Sequence, residues 1–259
     1  MSPQDLIDTN RYPLHRPTHG RIAELVAQGR EAMQGQSLFA LPNFVRSNGV
    51  HRIVAEAEAL TAQPRRYHRE PYSFKPLDES LAQQHPTRRA QSYELAMLYG
   101  EQFDDQSALR QLYEWRPLID FLEQIVDRPL YCSADSKYSL MTTFIEDGGQ
   151  HGWHFDTNEF VVSLLLRPAK QGGVFEYVPE LRSERDEHFD QVSTVLDGER
   201  ARVVSVPTLS GTLVLFHGHH ALHRVSPVSG ETSRCMALLS YAQREGQTFN
   251  RERLRGSTD

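Results

Sequence analysis

The chain has 259 residues, 39% hydrophobic and 24% charged, ordinary values for a globular protein with a substantial core. A formal net charge of −6 gives no electrostatic reason to expect a nucleic-acid partner. Two cysteines, Cys132 and Cys235, imply no disulfide framework and fit a reducing compartment. No apolar run approaches the roughly 18 residues that cross a bilayer. The polar start MSPQDLIDTNRYPLHRPTHG lacks the apolar segment of a signal peptide, so a cytoplasmic protein with no membrane partner is expected.

Up to residue 129, helical signals dominate. In Arg21–Met33 the residues Ile22, Leu25, Val26 and Met33 lie near a 3.6-residue period. Ser47-Asn48-Gly49 offers N-cap chemistry for a second helix carrying Val50, Ile53, Val54, Ala57 and Leu60. The Pro- and Arg-rich passage 62–92 reads as a long loop, a feature uncommon unless functional. Leu109–Val126 reads as a third helix that Pro117 kinks or splits.

From residue 130 to 245 the texture is β. Short Val-, Leu-, Phe-, Thr- and Tyr-rich runs alternate with turn residues. They are Tyr138–Ile145, Trp153–Phe155, Phe160–Leu166, Val174–Val178, Arg202–Val206, Thr212–Phe216, Leu222–Val225 and Arg234–Tyr241. Such a series predicts a mainly β fold, a double-stranded β-helix (jelly roll, cupin-like) with the N-terminal helices packed outside it. The charged stretch Ser183–Glu199 reads as an insert and residues 246–259 as a C-terminal tail, all within one domain.

His154-Phe155-Asp156 carries the chemistry. In an extended segment residues i and i+2 point to one side, so His154 and Asp156 can grip one ion together. With a distant third imidazole they form the two-histidine, one-carboxylate set of a mononuclear non-heme iron site, which leaves the other metal positions open. His217, His219 and His220 compete with His223 for the third place. Those three sit in a Gly-containing turn, whereas His223 begins a strand and is followed at a suitable distance by Arg234. Asp156-Thr157-Asn158 also has turn character. Arg234 borders the apolar run Cys235–Leu239, where a guanidinium would be partly buried and need a carboxylate or phosphate partner.

With His154, Asp156, His223 and Arg234 in this order, residues 136–242 resemble the iron(II)/2-oxoglutarate-dependent dioxygenases. The runs HFDTNEFVVSLLLRPAKQGGVFEYVPELR and GTLVLFHGHHALHRVSPVSGETSR are similar to the ArpA-like branch, which contains radical halogenases and hydroxylases of free amino acids, lysine among them. The resemblance implies Fe(II) held by His154, Asp156 and His223, 2-oxoglutarate as co-substrate with Arg234 at its distal carboxylate, and O2 as oxidant of an unactivated C–H bond. Halogenases of the branch carry Gly where this chain has Asp156, so hydroxylation of a small molecule, an amino acid or derivative, is expected rather than halogenation. His151 matches a position that contacts the substrate amine in the lysine halogenases, while Thr157 stands where an acidic residue would, which speaks against lysine itself. Arg88 and Arg89 are candidates for a substrate carboxylate, with Tyr67, His68 and Tyr93 as further possible contacts. Glu176 shares a face with Val174 and Val178. Two alternatives stand beside this reading: a peptide or protein hydroxylase, which needs an open groove, and a non-enzymatic cupin-like metal sensor, which favours HxH over HxD. The oligomeric state is left open.

Overall fold

The computed structural model describes residues 2–72, 75–206 and 209–248. From the N-terminus, α1 (Gly20–Gln36) leads to β1 (Leu38–Leu41), α2 (Ser47–Glu58), β2 (Gln63–Arg69), β3 (Gln91–Tyr99), α3 (Ala108–Tyr113) and α4 (Arg116–Val126). Then come β4 (Leu140–Ile145), β5 (Gln150–His154), β6 (Val161–Arg167), β7 (Phe175–Val178), α5 (Phe189–Leu196), β8 (Val204–Val206), β9 (Thr212–Phe216), β10 (Leu222–Val225) and β11 (Arg234–Leu239).

The strands β4 to β11 correspond one for one to the eight predicted from the sequence, with ends moved by a few residues. They wind into two facing layers. One runs β9–β6–β11–β4 with β1 on its edge; the other runs β5–β10–β7–β8. Pairing is antiparallel throughout these layers. The period of two divides each strand between cavity and exterior. Val162, Leu164 and Leu166 of β6, Leu213 and Leu215 of β9, and Ala237 and Leu239 of β11 face a helix-covered core with Ile22, Ile53, Leu122 and Ile125. Their neighbours Val161, Ser163, Val214, Phe216, Met236 and Leu238 face inward. Gly29 lets α1 approach α4 closely: a Cβ there would stand 2.9 Å from Ile125, which offsets the poor helix propensity of glycine. On the opposite layer, Val192 and Val195 of α5 pack with Trp153, Val178 and Leu222.

Three expectations need correction. The N-terminal part is not helical alone: beside its helices it supplies three strands of the eleven-stranded sheet. The passage 62–92 is not one long loop. Its first residues form β2, whose Gln63–Arg69 pairs along Met97–Gln91 of β3. That hairpin spans both layers, since Ala96–Tyr99 lies against β4 while Tyr93 and Glu94 lie against β5. The sheet edge is thereby covered. Pro117 does split the predicted helix Leu109–Val126: α3 ends at Tyr113 and α4 begins at Arg116, with Pro117 in its first turn, where its missing N–H costs nothing. The N-cap of α2 is Arg46, not Ser47, although the Asn48 side chain does accept from the Gly49 N–H in the first turn. The charged insert contains α5, and Tyr241 leaves β11 to pair in a separate ribbon with Cys132. Residues 249–259 of the expected tail lie outside the described residues. No helix among the described residues is long and apolar enough to cross a membrane.

Candidate active site

Antiparallel pairing of β5 and β10 sets His154 directly opposite His223. Asp156 follows β5 by two residues and returns to the same point. The carboxylate Oδ1 lies 3.7 Å from His154 Nε2 and Oδ2 lies 3.4 Å from His223 Nε2. Among the described residues, this is the one cluster of three or more metal-capable side chains whose donor atoms lie within 4.8 Å of one another. Each imidazole is oriented by its own strand. His154 Nδ1–H donates to the Gly152 carbonyl at 2.8 Å, and His223 Nδ1–H donates to the Ala221 carbonyl at 2.9 Å. A carbonyl only accepts, so the proton resides on Nδ1 and the Nε2 lone pair faces the other two ligands. Burial, with His223 and His151 close by, pushes the His154 pKa well below its ordinary value and keeps that lone pair free. Two imidazoles and a carboxylate suit a divalent transition metal with open positions.

The Asp156 backbone is clamped by the turn before β10. Its N–H donates to Gly218 O at 3.0 Å, and His219 Nδ1 donates to its carbonyl at 3.0 Å. His217 Nε2 is directed to Glu159, 4.0 Å away, rather than to the triad. The three competing histidines therefore frame the site without joining the cluster.

Inside the barrel is a cavity of about 200 Å³ that reaches from Arg234 past the triad to Tyr138, Met141 and Leu238. Arg234 is 2% exposed, and its Nε and Nη2 have no hydrogen-bond partner among the described residues. Burial pulls its pKa down to about 10, still well above neutral pH. A charged, buried fork with unspent donors fits a carboxylate of a molecule lying in the cavity. The register fixes the layout: Arg234 pairs with Ile145 and Leu239 with Leu140, so Arg234, Met236 and Leu238 step along one cavity wall from its cationic end to its apolar end.

His151 lines the cavity beside His154, with ring centroids 4.3 Å apart, and burial keeps it neutral. Tyr93 packs edge-on against His151 and His154 and stacks on Tyr67. Thr157 and Asn158 line the cavity too. Other candidates are not brought to the site. Arg88 donates to the carbonyls of Glu79 and Leu81, and Arg89 donates to Asp197 and to the Ser193 carbonyl of α5. His68 contacts Ser92. Glu176 shares its face with Val178 and pairs with Arg224, away from the cavity side that Phe175 lines.

Arg69 is the residue that sequence reasoning missed. Its guanidinium sits 5.1 Å from the Tyr93 ring centroid, and its buried Nε has no partner among the described residues. Burial works against its charge, but Tyr93, Tyr67 and Asp156 more than offset that, so it stays cationic. Within RRYHRE nothing distinguishes it from its neighbours except that, in a strand, it shares a face with Tyr67.

A family model described as Halogenase D matches residues 23–253. No curated protein matches the sequence. Among solved structures, the chain is similar to the non-heme carbocyclase SnoK of nogalamycin biosynthesis at 14% identity and TM-score 0.61, over 92% of each chain. It is also similar to a 2OG-Fe(II) oxygenase family oxidoreductase from Burkholderia pseudomallei at 15% identity and TM-score 0.58, covering 89% of this chain and 95% of that one. A third is HygX from Streptomyces hygroscopicus, solved with nickel, 2-oxoglutarate and hygromycin B, at 14% identity and TM-score 0.56, covering 86% and 87%. At these identities the likeness is one of fold.

Proposed function

This chain belongs to the Halogenase D family, and from that premise we propose that it is an Fe(II)/2-oxoglutarate-dependent dioxygenase that hydroxylates a C–H bond of a small molecule, an amino acid or derivative. The observation that carries this reading is the joint presence of the His154–Asp156–His223 cluster and a buried Arg234 with unspent donors at one end of the same cavity. In this reading His154, Asp156 and His223 hold iron(II), and Arg234 takes the distal carboxylate of 2-oxoglutarate. When bound, iron with 2-oxoglutarate and O2 supplies the oxidising power, releasing succinate and CO2 and placing one oxygen on the substrate. The protein's part is to orient and exclude. The apolar walls Ile145, Val225 and Met236 keep water from the co-substrate, and Tyr93 holds the His151 and His154 rings in place.

Asp156 decides between hydroxylation and halogenation. Its carboxylate takes the place that a halide would need, which favours oxygen transfer within a family named for halogenation. Substrate contacts fall to His151 and, in place of Arg88 and Arg89, to Arg69 as the cation near the metal face. The apolar end of the cavity, with Tyr138, Met141 and Leu238, offers no carboxylate among the described residues; Glu159, the acid nearest Asp156 in the chain, turns outward to Arg128 and Gln243. A neutral chain fits that end better than a cationic one. The small, walled cavity also favours a small molecule over a peptide, since ligands of drug size take roughly 300–1,000 Å³.

The test is succinate release with Fe(II), 2-oxoglutarate, O2 and chloride across free amino acids and short peptides, with mass spectrometry of the products. An oxygenated free amino acid supports the reading. A chlorinated main product, or release stimulated by peptides alone, contradicts it.

A further inference from the structure

We propose that Gly218 is a positioning residue for Asp156: the side-chain-free backbone of the 217–220 turn is the wall that sets the carboxylate between His154 and His223. The inference rests on the reading of these three residues as metal ligands and goes beyond it, because Gly218 itself offers no ligand atom. A Cβ at Gly218 would lie 1.8 Å from Asp156 Oδ2, 2.7 Å from its Cγ and 3.0 Å from its Cβ. Oδ2 is also the oxygen that faces His223 Nε2 at 3.4 Å. Any side chain at position 218 therefore competes for the place the ligand oxygen occupies.

What yields is decided by stiffness. The Asp156 backbone is held by its N–H bond to Gly218 O and by His219. The turn is held in turn by Ser37, whose carbonyl accepts from the His217 N–H, and by Arg182, which donates to the His219 carbonyl. The free end of the Asp156 side chain is the one soft element at the contact. An added methyl is relieved by rotating the carboxylate away from the histidines, at small cost to the fold and large cost to the metal site. Groups that orient metal ligands typically account for 10–100-fold in metal affinity.

The experiment titrates metal-free protein with Co(II), following its visible absorption, for wild type, Gly218→Ala, Asp156→Ala and the double variant, with melting temperatures of the metal-free forms alongside. Gly218→Ala is expected to bind Co(II) about 10–100-fold more weakly, with an altered spectrum and a nearly unchanged melting temperature. In the Asp156→Ala background the same methyl is expected to change affinity by less than about twofold, since the two changes remove one interaction. Wild-type affinity in Gly218→Ala, or an equal loss in both backgrounds, overturns the proposal. Should Gly218→Ala fold poorly, recovery of its melting temperature by Asp156→Ala carries the same conclusion, and absence of recovery overturns it. If wild type binds no Co(II), or Asp156→Ala costs no affinity, the metal-site reading itself falls and takes this inference with it.

Discussion

Two groups of arginines in this molecule look alike in sequence and differ in what they have left to give. On the flank formed by residues 79–91 and α5, Arg88 and Arg89 spend their donors on carbonyls and on Asp197. In the barrel, Arg234 is buried with Nε and Nη2 unmatched among the described residues, and beside it the half-buried Arg69, which meets Tyr93, keeps an unmatched Nε. A buried cation without a partner is costly, and folds keep such groups where a ligand completes them. The flank arginines are part of the fold, while the barrel arginines keep donors that, in the function proposed above, an anion would take.

Substitutions separate the groups, from the largest effect down. Arg234→Leu is expected to weaken 2-oxoglutarate binding by about 2–5 kcal/mol, roughly thirtyfold or more, while the melting temperature of the ligand-free protein holds or rises. Calorimetric titration with 2-oxoglutarate in the presence of Mn(II) reads this, and unchanged affinity would erase the distinction. Arg69→Leu is expected to leave 2-oxoglutarate affinity intact and to reduce substrate-stimulated succinate release by roughly tenfold or more, on the scale of a lost charged hydrogen bond. Steady-state kinetics on the first amino acid found active decides it.

The barrel also differs from the surface in its response to acid. Burial pushes His151 and His154 well below 6.5 and brings His217 down to about 4. Once unfolded, these groups bind protons below pH 6.5 that the folded protein refuses. Stability is therefore flat above that pH and falls on acidification, for His217 through the window from 6.5 to about 4, by at most about 1.4 kcal/mol per pH unit for each histidine. Melting curves of the metal-free protein between pH 7.5 and 5 check the sign. The smallest effect belongs to the flank: Arg89→Ala removes a pair whose Asp197 side chain is 67% exposed and is expected to cost under about 1 kcal/mol, with turnover within twofold of wild type.

The legible part of the chain was the part whose pattern and chemistry agree. The strands β4 to β11 announce themselves by alternation, and His154, Asp156 and His223 by a spacing that a strand converts into one face. β2 was hidden because QPRRYHR is polar on both sides and pairs with β3 alone, so no buried stripe marks it. β3 does alternate, with Tyr93 and Leu95 buried, but it follows the passage that proline and arginine disguise as loop. α5 was masked by its charged flanks, although Val192 and Val195 keep helical spacing. Arg69 was out of reach from sequence, because a guanidinium is functional or decorative according to what surrounds it, and β2 places it only through pairing.

The central claim is one ferrous ion held by His154, Asp156 and His223, with 2-oxoglutarate lying between it and Arg234. Anaerobic addition of Fe(II) and 2-oxoglutarate to the metal-free protein tests this most directly, through the visible charge-transfer band of a chelated ferrous 2-oxo acid. The band is expected to appear at one iron per chain in wild type and to vanish in His223→Ala. A His223→Ala protein that still develops the full band, or a wild type that never does, would contradict the account.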